Sequence, residues 1–234
     1  NGIYLQSCDN VIINSPTISG QNGDVDNSLA SAGIFSNGST RVTINSPNFS
    51  DNYRDIVVGG SDTVEIIDVE INGGNMTGAT NASIQLNPAI SPITMWRGLK
   101  VNGVVIRGAE NGVLTNFSGS SAGKEITFTD CDIEATRGSG SDGLTTSGVN
   151  SAGEVKFIGG RIKGNATQVN MNATLAVLEF NGTTIETGST VADFITTAGQ
   201  KLRLINTHFA NTAVTNPFTG NAQILTGVVG AGSV

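Results

Sequence analysis

Large apolar residues recur along the chain in a fixed pattern, Φ-x-Φ-x-x-x-x-Φ, where Φ is a large apolar residue. Because side chains alternate between the two faces of a β-strand, each Φ-x-Φ predicts a short strand with one apolar face. The last Φ predicts a second strand after a turn. Eight copies occur, none with an insertion: Val11/Ile13/Ile18, Val42/Ile44/Phe49, Val64/Ile66/Ile71, Leu99/Val101/Ile106, Ile126/Phe128/Ile133, Val155/Phe157/Ile162, Leu178/Phe180/Ile185 and Leu202/Leu204/Phe209.

A further apolar residue precedes each copy, often directly after glycine, and predicts a third strand. These residues are Ile3, Ile34, Ile56, Ile84, Val113, Leu144, Val169, Phe194 and Phe218. The motif keeps its length while the copies start 22 to 35 residues apart, so insertions are expected to emerge as loops. Three short strands cannot bury their apolar faces alone, but stacked turns form a continuous core.

This repeat predicts an all-β fold, a right-handed parallel β-helix of about eight to nine three-stranded rungs. We expect a single domain over residues 1–234, with regular rungs over 1–210 and a last rung or a transition to another domain over 211–234. The first residues already have a strand-like pattern and the last are apolar, so we expect a piece of a longer chain. A propeller, a sandwich or a left-handed hexapeptide helix fits the variable spacing less well.

Two columns of outward-facing residues test the alignment, because the repeat was defined from apolar residues alone. The residues after the first Φ are Ile12, Thr43, Glu65, Lys100, Thr127, Lys156, Glu179 and Arg203. Those after the last Φ are Ser19, Ser50, Asn72, Arg107, Glu134, Lys163, Glu186 and Ala210. Charges of opposite sign tend to alternate down both columns, as pairing between neighbouring strands favours. The acids in these columns are therefore interpreted as structural.

The composition narrows the function classes. The sequence has 12 basic and 19 acidic residues, a net charge of −7 and no basic run, so nucleic acid is not an expected partner. No stretch approaches 18 apolar residues, so no membrane span is expected. Cys8 and Cys131 fall four rungs apart in the alignment, roughly 19 Å, and are expected to be free thiols.

The rung pattern, with Val-x-Ile strands and Asn at a corner as in Asn14-Ser15-Pro16 and Asn45-Ser46-Pro47, resembles the pectate-lyase-like parallel β-helix superfamily. Low aromatic content and loops rich in Ser, Thr and Gly are most similar to bacteriophage tailspikes. That resemblance implies a homotrimer, on a virion tail or outside the cell, that binds and often cleaves bacterial surface polysaccharide. No catalytic motif of the superfamily matches residue by residue.

Glycoside hydrolysis needs two carboxylates at a set separation. Glu110 and Asp142 precede two neighbouring strand anchors, Val113 and Leu144, by three and two residues. They are the best candidate catalytic pair, and the plain alternative is two solvated turn acids.

Two clusters are candidates for contacting sugars. Trp96 and Arg97 end the longest insertion, and Tyr53-Arg54-Asp55 forms a second group. Aromatic faces stack on sugar rings, although Trp96 could instead anchor its loop to the solenoid. Asp24 and Asp26 provide alternate oxygen ligands for a candidate Ca²⁺ site, and no other cofactor is expected.

Three functional hypotheses follow. The first is a tailspike-like module that binds surface polysaccharide. The second is a depolymerase, more readily a glycoside hydrolase than a lyase, that acts on capsule or O-antigen. The third is a segment of a bacterial surface adhesin or autotransporter passenger. The first two predict a trimer, and the third predicts a monomer.

Overall fold

The computed structural model describes residues 2–21, 31–59, 66–87, 96–116, 125–147, 154–165, 167–171, 177–187, 201–210, 223–227 and 229–230. Within these ranges every regular element is a strand. In chain order they are β1 (Ile3–Gln6), β2 (Asp9–Asn14), β3 (Thr17–Ser19), β4 (Ala32–Asn37), β5 (Thr40–Asn45), β6 (Asn48–Ser50), β7 (Arg54–Gly59), β8 (Ile66–Asn72), β9 (Asn75–Thr77), β10 (Ala82–Asn87), β11 (Trp96–Arg97), β12 (Leu99–Asn102), β13 (Val105–Arg107), β14 (Asn111–Asn116), β15 (Glu125–Thr129), β16 (Asp132–Ala135), β17 (Asp142–Ser147), β18 (Glu154–Ile158), β19 (Arg161–Gly164), β20 (Thr167–Met171), β21 (Val177–Asn181), β22 (Thr184–Thr187), β23 (Lys201–Ile205), β24 (His208–Ala210), β25 (Gln223–Thr226) and β26 (Val229–Gly230).

The strands form three parallel sheets, each of which receives one strand per turn of the chain. Sheet A has seven strands in the order β1-β4-β7-β10-β14-β17-β20. Sheet B has ten, in the order β2-β5-β8-β12-β15-β18-β21-β23-β25, with β11 paired to β8. Sheet C has nine, from β26 through β24, β22, β19, β16, β13, β9 and β6 to β3. This topology is a parallel β-helix, as the repeat predicted.

The predicted inward columns are confirmed. In sheet A, Ile34 pairs with Ile56, Ile56 with Ile84 and Ile84 with Val113, and all four are fully buried. Along sheet B, the rings of Phe128, Phe157 and Phe180 stack at centroid distances of 4.6 and 5.2 Å. Each buried side chain of this size contributes about 1.5–3 kcal/mol of apolar burial. Phe194 and Phe218 lie outside the described residues.

One predicted copy is wrong by five residues. The structure pairs Val42 with Val69 and Ile44 with Ile71, so the third copy is Val69/Ile71/Met76 rather than Val64/Ile66/Ile71. The reason is that two overlapping matches exist, and only the later one puts Asn72-Gly73 at the corner. The outward neighbours of Thr43 and Ser50 are therefore Glu70 and Thr77.

Backbone geometry explains the corner between sheets B and C. At least one residue per turn there adopts a left-handed conformation, and in two turns the glycine that follows it, Gly74 or Gly160, does so too. The first such residues are Ser15, Ser46, Gly73, Gly103, Asp130, Gly159, Gly182, Asn206 and Gly227, with φ between 48° and 67°. Their amides donate to carbonyls in the next turn, for example Ser15 N to Asn45 O at 2.8 Å. Glycine, asparagine and aspartate tolerate positive φ best, which accounts for the Asn-Gly and Asn-Ser pairs in the sequence.

Side-chain amides add a ladder beside this corner. Asn45 donates to Asn14 at 2.9 Å, Asn72 to Asn45 at 3.1 Å and Asn102 to Asn72 at 2.9 Å. The ladder supports the register of the first four turns, because Asn45 and Asn72 each donate to one neighbouring amide and accept from the other.

Both cysteines are free, with Cys131 buried and Cys8 partly exposed, as expected. Cys131 Sγ lies 3.3 Å from the Val101 carbonyl. Thr183 and Thr207 occupy the same column and donate to Phe157 O and Phe180 O. Burial raises the pKa of the Cys131 thiol to about 11, so this cysteine is structural.

Candidate functional site

Several candidate residues lie together on one edge of sheet A, where the chain arrives from sheet C. Arg54, Asn111 and Asp142 are the first residues of β7, β14 and β17. Ala82 begins β10, between β7 and β14, and pairs with both Arg54 and Asn111. The residues just before these strands form an adjacent column. We call Tyr53, Asn81, Glu110, Asn111, Asp142 and Thr145 the polar edge.

Main-chain hydrogen bonds hold the polar edge in register. Asn81 N donates to Tyr53 O at 2.9 Å, and Asn111 N donates to Asn81 O at 2.9 Å. Asp142 N then donates to Glu110 O at 3.2 Å. The two predicted clusters, Tyr53 and the Glu110–Asp142 pair, are therefore parts of one continuous edge.

Glu110 directly precedes β14, and Asp142 begins β17 on the next turn, where it pairs with Asn111. Glu110 is half-buried, and its Oε2 would lie 3.4 Å from a Cβ atom added to Gly138. Asp142 is 9% exposed, and its Oδ2 lies 2.9 Å from the Thr145 hydroxyl.

The turn after β16 closes over Glu110. Arg137 is exposed, and its Nη1 donates to the Gly78 carbonyl two turns away at 2.8 Å. Gly138 N donates to Ser141 Oγ at 2.8 Å, and Asn165 Nδ2 donates to Gly138 O at 3.2 Å. These bonds fix the conformation of the turn between β16 and β17, which carries Arg137.

At the other end of the polar edge, Tyr53 contacts Arg54, the first residue of β7. The Arg54 guanidinium carbon lies 4.6 Å from the centre of the Tyr53 ring, within range of a cation–π contact. Asn81 Nδ2 donates to Tyr53 Oη at 3.4 Å. Arg54 is 4% exposed and Tyr53 is half-buried, so contact with a ligand here falls mainly to the tyrosine.

Asp55 lies beneath the surface. It is fully buried, and its Oδ1 accepts a hydrogen bond from Asn52 Nδ2 at 2.9 Å. Its Oδ2 is buried and finds no regular hydrogen bond within the described ranges, nor does Ser83 Oγ on the next strand. Burial raises the pKa of Asp55 to about 7, although Asn52 and Ser83 favour the ionised form.

The remaining predicted residues are described only in part. Trp96 and Arg97 form β11, which pairs with Ile66 and Ile67 on β8, and their side chains fall outside the described part. They lie on sheet B, away from the polar edge. Asp24 and Asp26 also lie outside the described residues.

The sequence did not single out Asn81, Asn111, Arg137 or Thr145. Asn111 Nδ2 donates to Asn81 O at 2.8 Å, and its Oδ1 lies 3.3 Å from the Thr145 hydroxyl. Strand register alone would have found Asn111, because it directly faces Asp142.

The described residues contain neither a cluster of metal-ligating side chains nor a membrane-spanning helix. In the described ranges no three His, Cys, Asp or Glu side chains group as metal ligands. No helix there is long and apolar enough to cross a membrane. The sequence matches no protein-family model, and neither curated proteins nor solved structures give a significant match.

Proposed function

We propose that the chain is a tailspike-like β-helix module that binds bacterial surface polysaccharide along the polar edge. The observation that carries this proposal is the continuous hydrogen-bonded edge from Tyr53 to Asp142. It spans four adjacent strands, or roughly 14 Å at about 4.8 Å per step. An extended saccharide chain laid along it would meet one polar group or ring per strand.

The chemistry of the edge fits a sugar better than an apolar ligand or a polyanion. Tyr53 offers an amphipathic ring with a phenol group at its rim. Amides and hydroxyls follow at Asn81, Asn111 and Thr145, and such groups match the donors and acceptors of a pyranose. Glu110 and Asp142 disfavour a strongly anionic ligand, while Arg137 offers donors to a hydroxyl or an isolated carboxylate.

Binding is tested with purified capsule and O-antigen polysaccharides, by calorimetry and glycan arrays. We expect Tyr53→Ala and Arg137→Ala to weaken binding by about tenfold or more, the scale of one lost central contact. Tyr4→Ala is the matched control, since Tyr4 is 48% exposed on β1, and its ring contacts Phe35 at a tilted angle, two strands before β7 in sheet A. Unchanged affinity in Tyr53→Ala, or equal loss in Tyr4→Ala, would contradict the proposal.

Depolymerase activity is the second candidate, supported by the main-chain hydrogen bond from Asp142 N to Glu110 O, which joins the adjacent turns that carry the two acids. The test measures the chain length of a bound polysaccharide before and after incubation. Shortening that is lost in Glu110→Gln and Asp142→Asn would assign the pair. Shortening retained in both variants would move the active site elsewhere. If a glycan binds but is not shortened, the depolymerase hypothesis is rejected and the binding function stands.

We also propose a homotrimer on a virion tail or another extracellular assembly, following the resemblance to tailspikes. Analytical ultracentrifugation of the full chain tests this assembly. A stable monomer would favour the adhesin or autotransporter hypothesis instead.

A further inference from the structure

The corner beneath Tyr53 contains a carboxylate in a column that holds glycine in four other turns and Ser83 in the next one. Asp55 lies opposite Gly33, because Ala32 pairs with Arg54 and Ile34 pairs with Ile56. Equivalent positions in other turns are Gly2, Gly112 and Gly143. A Cβ atom at Gly33 would lie 2.8 Å from Asp55 O, and one at Gly112 would lie 2.3 Å from Ile133 Cγ2. Side chains therefore have little room in this column, and an aspartate there departs from the glycine that most turns of the repeat place at this position.

The surroundings of Asp55 are polar, and none of the ion pairs among the described residues involves it. Asn52 is fully buried; its Nδ2 bonds Asp55 Oδ1 and Ile18 O, and its Oδ1 accepts from Gln21 N. On the β10 side lies Ser83, which is also fully buried. Neither Ser83 Oγ nor Asp55 Oδ2 has a hydrogen bond of regular geometry in the part of the chain that the structure describes, although Ser83 lies close enough to favour the ionised carboxylate and so partly offsets burial.

The charged groups around the corner do not compensate a negative Asp55. Asp51, on the turn before β7, adds repulsion that raises the pKa of Asp55 further. Arg54 follows Tyr53 and places its guanidinium over that ring. The β4 side presents Gly33, and the β10 side presents Ser83 between Ala82 and Ile84. Burying an unpaired carboxylate is costly, so such a group keeps its proton instead.

We propose that the corner formed by Asn52, Asp55 and Ser83 is a proton-dependent lock beneath the polar edge. With Asp55 neutral, the corner stays closed and holds the turn that carries Tyr53. When Asp55 ionises, the carboxylate favours an open corner in which water reaches it. This inference concerns the corner itself and does not depend on what the polar edge binds.

The direction of the pH response follows from linkage. The pKa of Asp55 is about 7 in the closed corner, against an ordinary value of 3.8. The proton therefore stabilises the closed corner fully at acid pH, and this stabilisation is lost as pH rises through the folded pKa. Between about pH 5 and pH 9 the equilibrium constant for opening should rise about a hundredfold, at tenfold per pKa unit.

Infrared difference spectra of wild type and Asp55→Asn test the proton directly. We expect a protonated-carboxyl band in the wild type at about pH 5.5 that Asp55→Asn lacks and that disappears by about pH 9. A missing band at acid pH, or the same band in both proteins, would overturn the proposal.

Amide hydrogen exchange in peptides covering residues 50–58 tests the lock. After correction for intrinsic rates, opening in the wild type should increase about a hundredfold from about pH 5 to pH 9. Asp55→Asn should remain flat, whereas Asp51→Asn, at the exposed neighbour, should keep the response with its midpoint moved to lower pH, because it removes the repulsion that raises the pKa of Asp55. If opening in the wild type does not change with pH, the lock is overturned, and this outcome does not depend on whether any variant folds. A response abolished by Asp51→Asn would also overturn the lock.

Discussion

Arg161 lies directly opposite Asp132 in sheet C, and its Nε donates to Asp132 Oδ1 at 2.8 Å. The same guanidinium donates to Glu134 Oε2 and to Glu186 Oε2, each at 2.8 Å. One arginine on β19 thus links two carboxylates on β16 and one on β22, the strands on either side of it. A network of this kind is worth more than isolated surface pairs, because one ordered side chain serves several partners.

We expect Arg161→Gln to lower the free energy of unfolding by about 1–2 kcal/mol near neutral pH and low salt. Hydrogen bonding by Arg161 lowers the pKa of Glu186, and Arg107 and Arg161 together outweigh burial in lowering that of Asp132. Depressed carboxyl pKa values stabilise the fold above the unfolded pKa and lose this effect as pH falls. The difference between variant and wild type should therefore shrink in acid and in high salt.

Urea unfolding at about pH 7 and pH 3 measures this difference. Lys163→Gln is the control, because Lys163 Nζ contacts one carboxylate, Glu186, at 3.5 Å. Equal losses for Lys163→Gln and Arg161→Gln would show that the network adds nothing beyond single pairs.

Removal of Phe157 tests the aromatic stack in the core. Its ring lies between those of Phe128 and Phe180 and is 2% exposed. Phe157→Ala should cost about 3–5 kcal/mol, because it removes buried apolar area and leaves a cavity between two rings. Ile158→Ala, the next residue and 41% exposed, should change stability by less than about 0.5 kcal/mol. Similar thermal melting for the two variants would mean that the stack does not support the core.

The inward columns were predictable because the Φ-x-Φ pattern repeats wherever a strand faces the interior. The position of the third copy was not predictable, because Ile71 belongs to two overlapping matches of the pattern. Only the place of Asn72 in the asparagine ladder shows which match is the correct one. Arg161 was missed for a different reason. Its contacts with Glu134 and Glu186 run diagonally, whereas the sequence columns compare directly opposed residues.

The polar edge was less predictable than the core. Turns between sheets C and A differ in length, with seven residues from Phe49 to Ile56 and eleven from Ile133 to Leu144. Residues before the strand anchor therefore cannot be aligned from sequence alone. The burial of Asp55 also depends on this turn, so its sequence context resembled that of an exposed loop acid.

The asparagine ladder predicts a graded response to substitution. Asn72 donates to Asn45 and accepts from Asn102, so Asn72→Ala removes two hydrogen bonds and should cost about 1–3 kcal/mol. Asn72→Asp should also destabilise, because a carboxylate cannot donate to Asn45 and lies near Glu70, which accepts from Asn102. Chemical denaturation compares the variants.

Asn181→Ala is the matched control for the ladder. Asn181 occupies the equivalent corner position, but its strand neighbours are Ile158 and Ile205 rather than asparagines. We expect less than half the cost of Asn72→Ala. An equal cost at both positions would assign the effect to the corner and not to the ladder.

Two glycines at the corner between sheets B and C separate backbone conformation from steric crowding. Gly103 has φ +61° and no atom within 4 Å of a Cβ added to it, while Ser15 and Asp130 adopt similar φ in the same column. Gly103→Ala should therefore cost only about 1–2 kcal/mol, the penalty of a left-handed alanine. Gly103→Asn should cost less, because asparagine tolerates this region.

Gly160 has a similar φ of +70°, but a Cβ there would lie 2.1 Å from Cys131 O and 2.7 Å from Cys131 N. Both atoms belong to the backbone of the preceding turn, so relief requires neighbouring turns to move apart. Gly160→Ala should lower the free energy of unfolding by about 2 kcal/mol or more beyond the loss caused by Gly103→Ala, because it adds overpacking to the conformational penalty. Thermal unfolding of the two alanine variants at one pH measures the difference. Equal melting temperatures would mean that the turns separate easily, and the β-helix would then be held by its apolar columns rather than by close backbone contact at this corner.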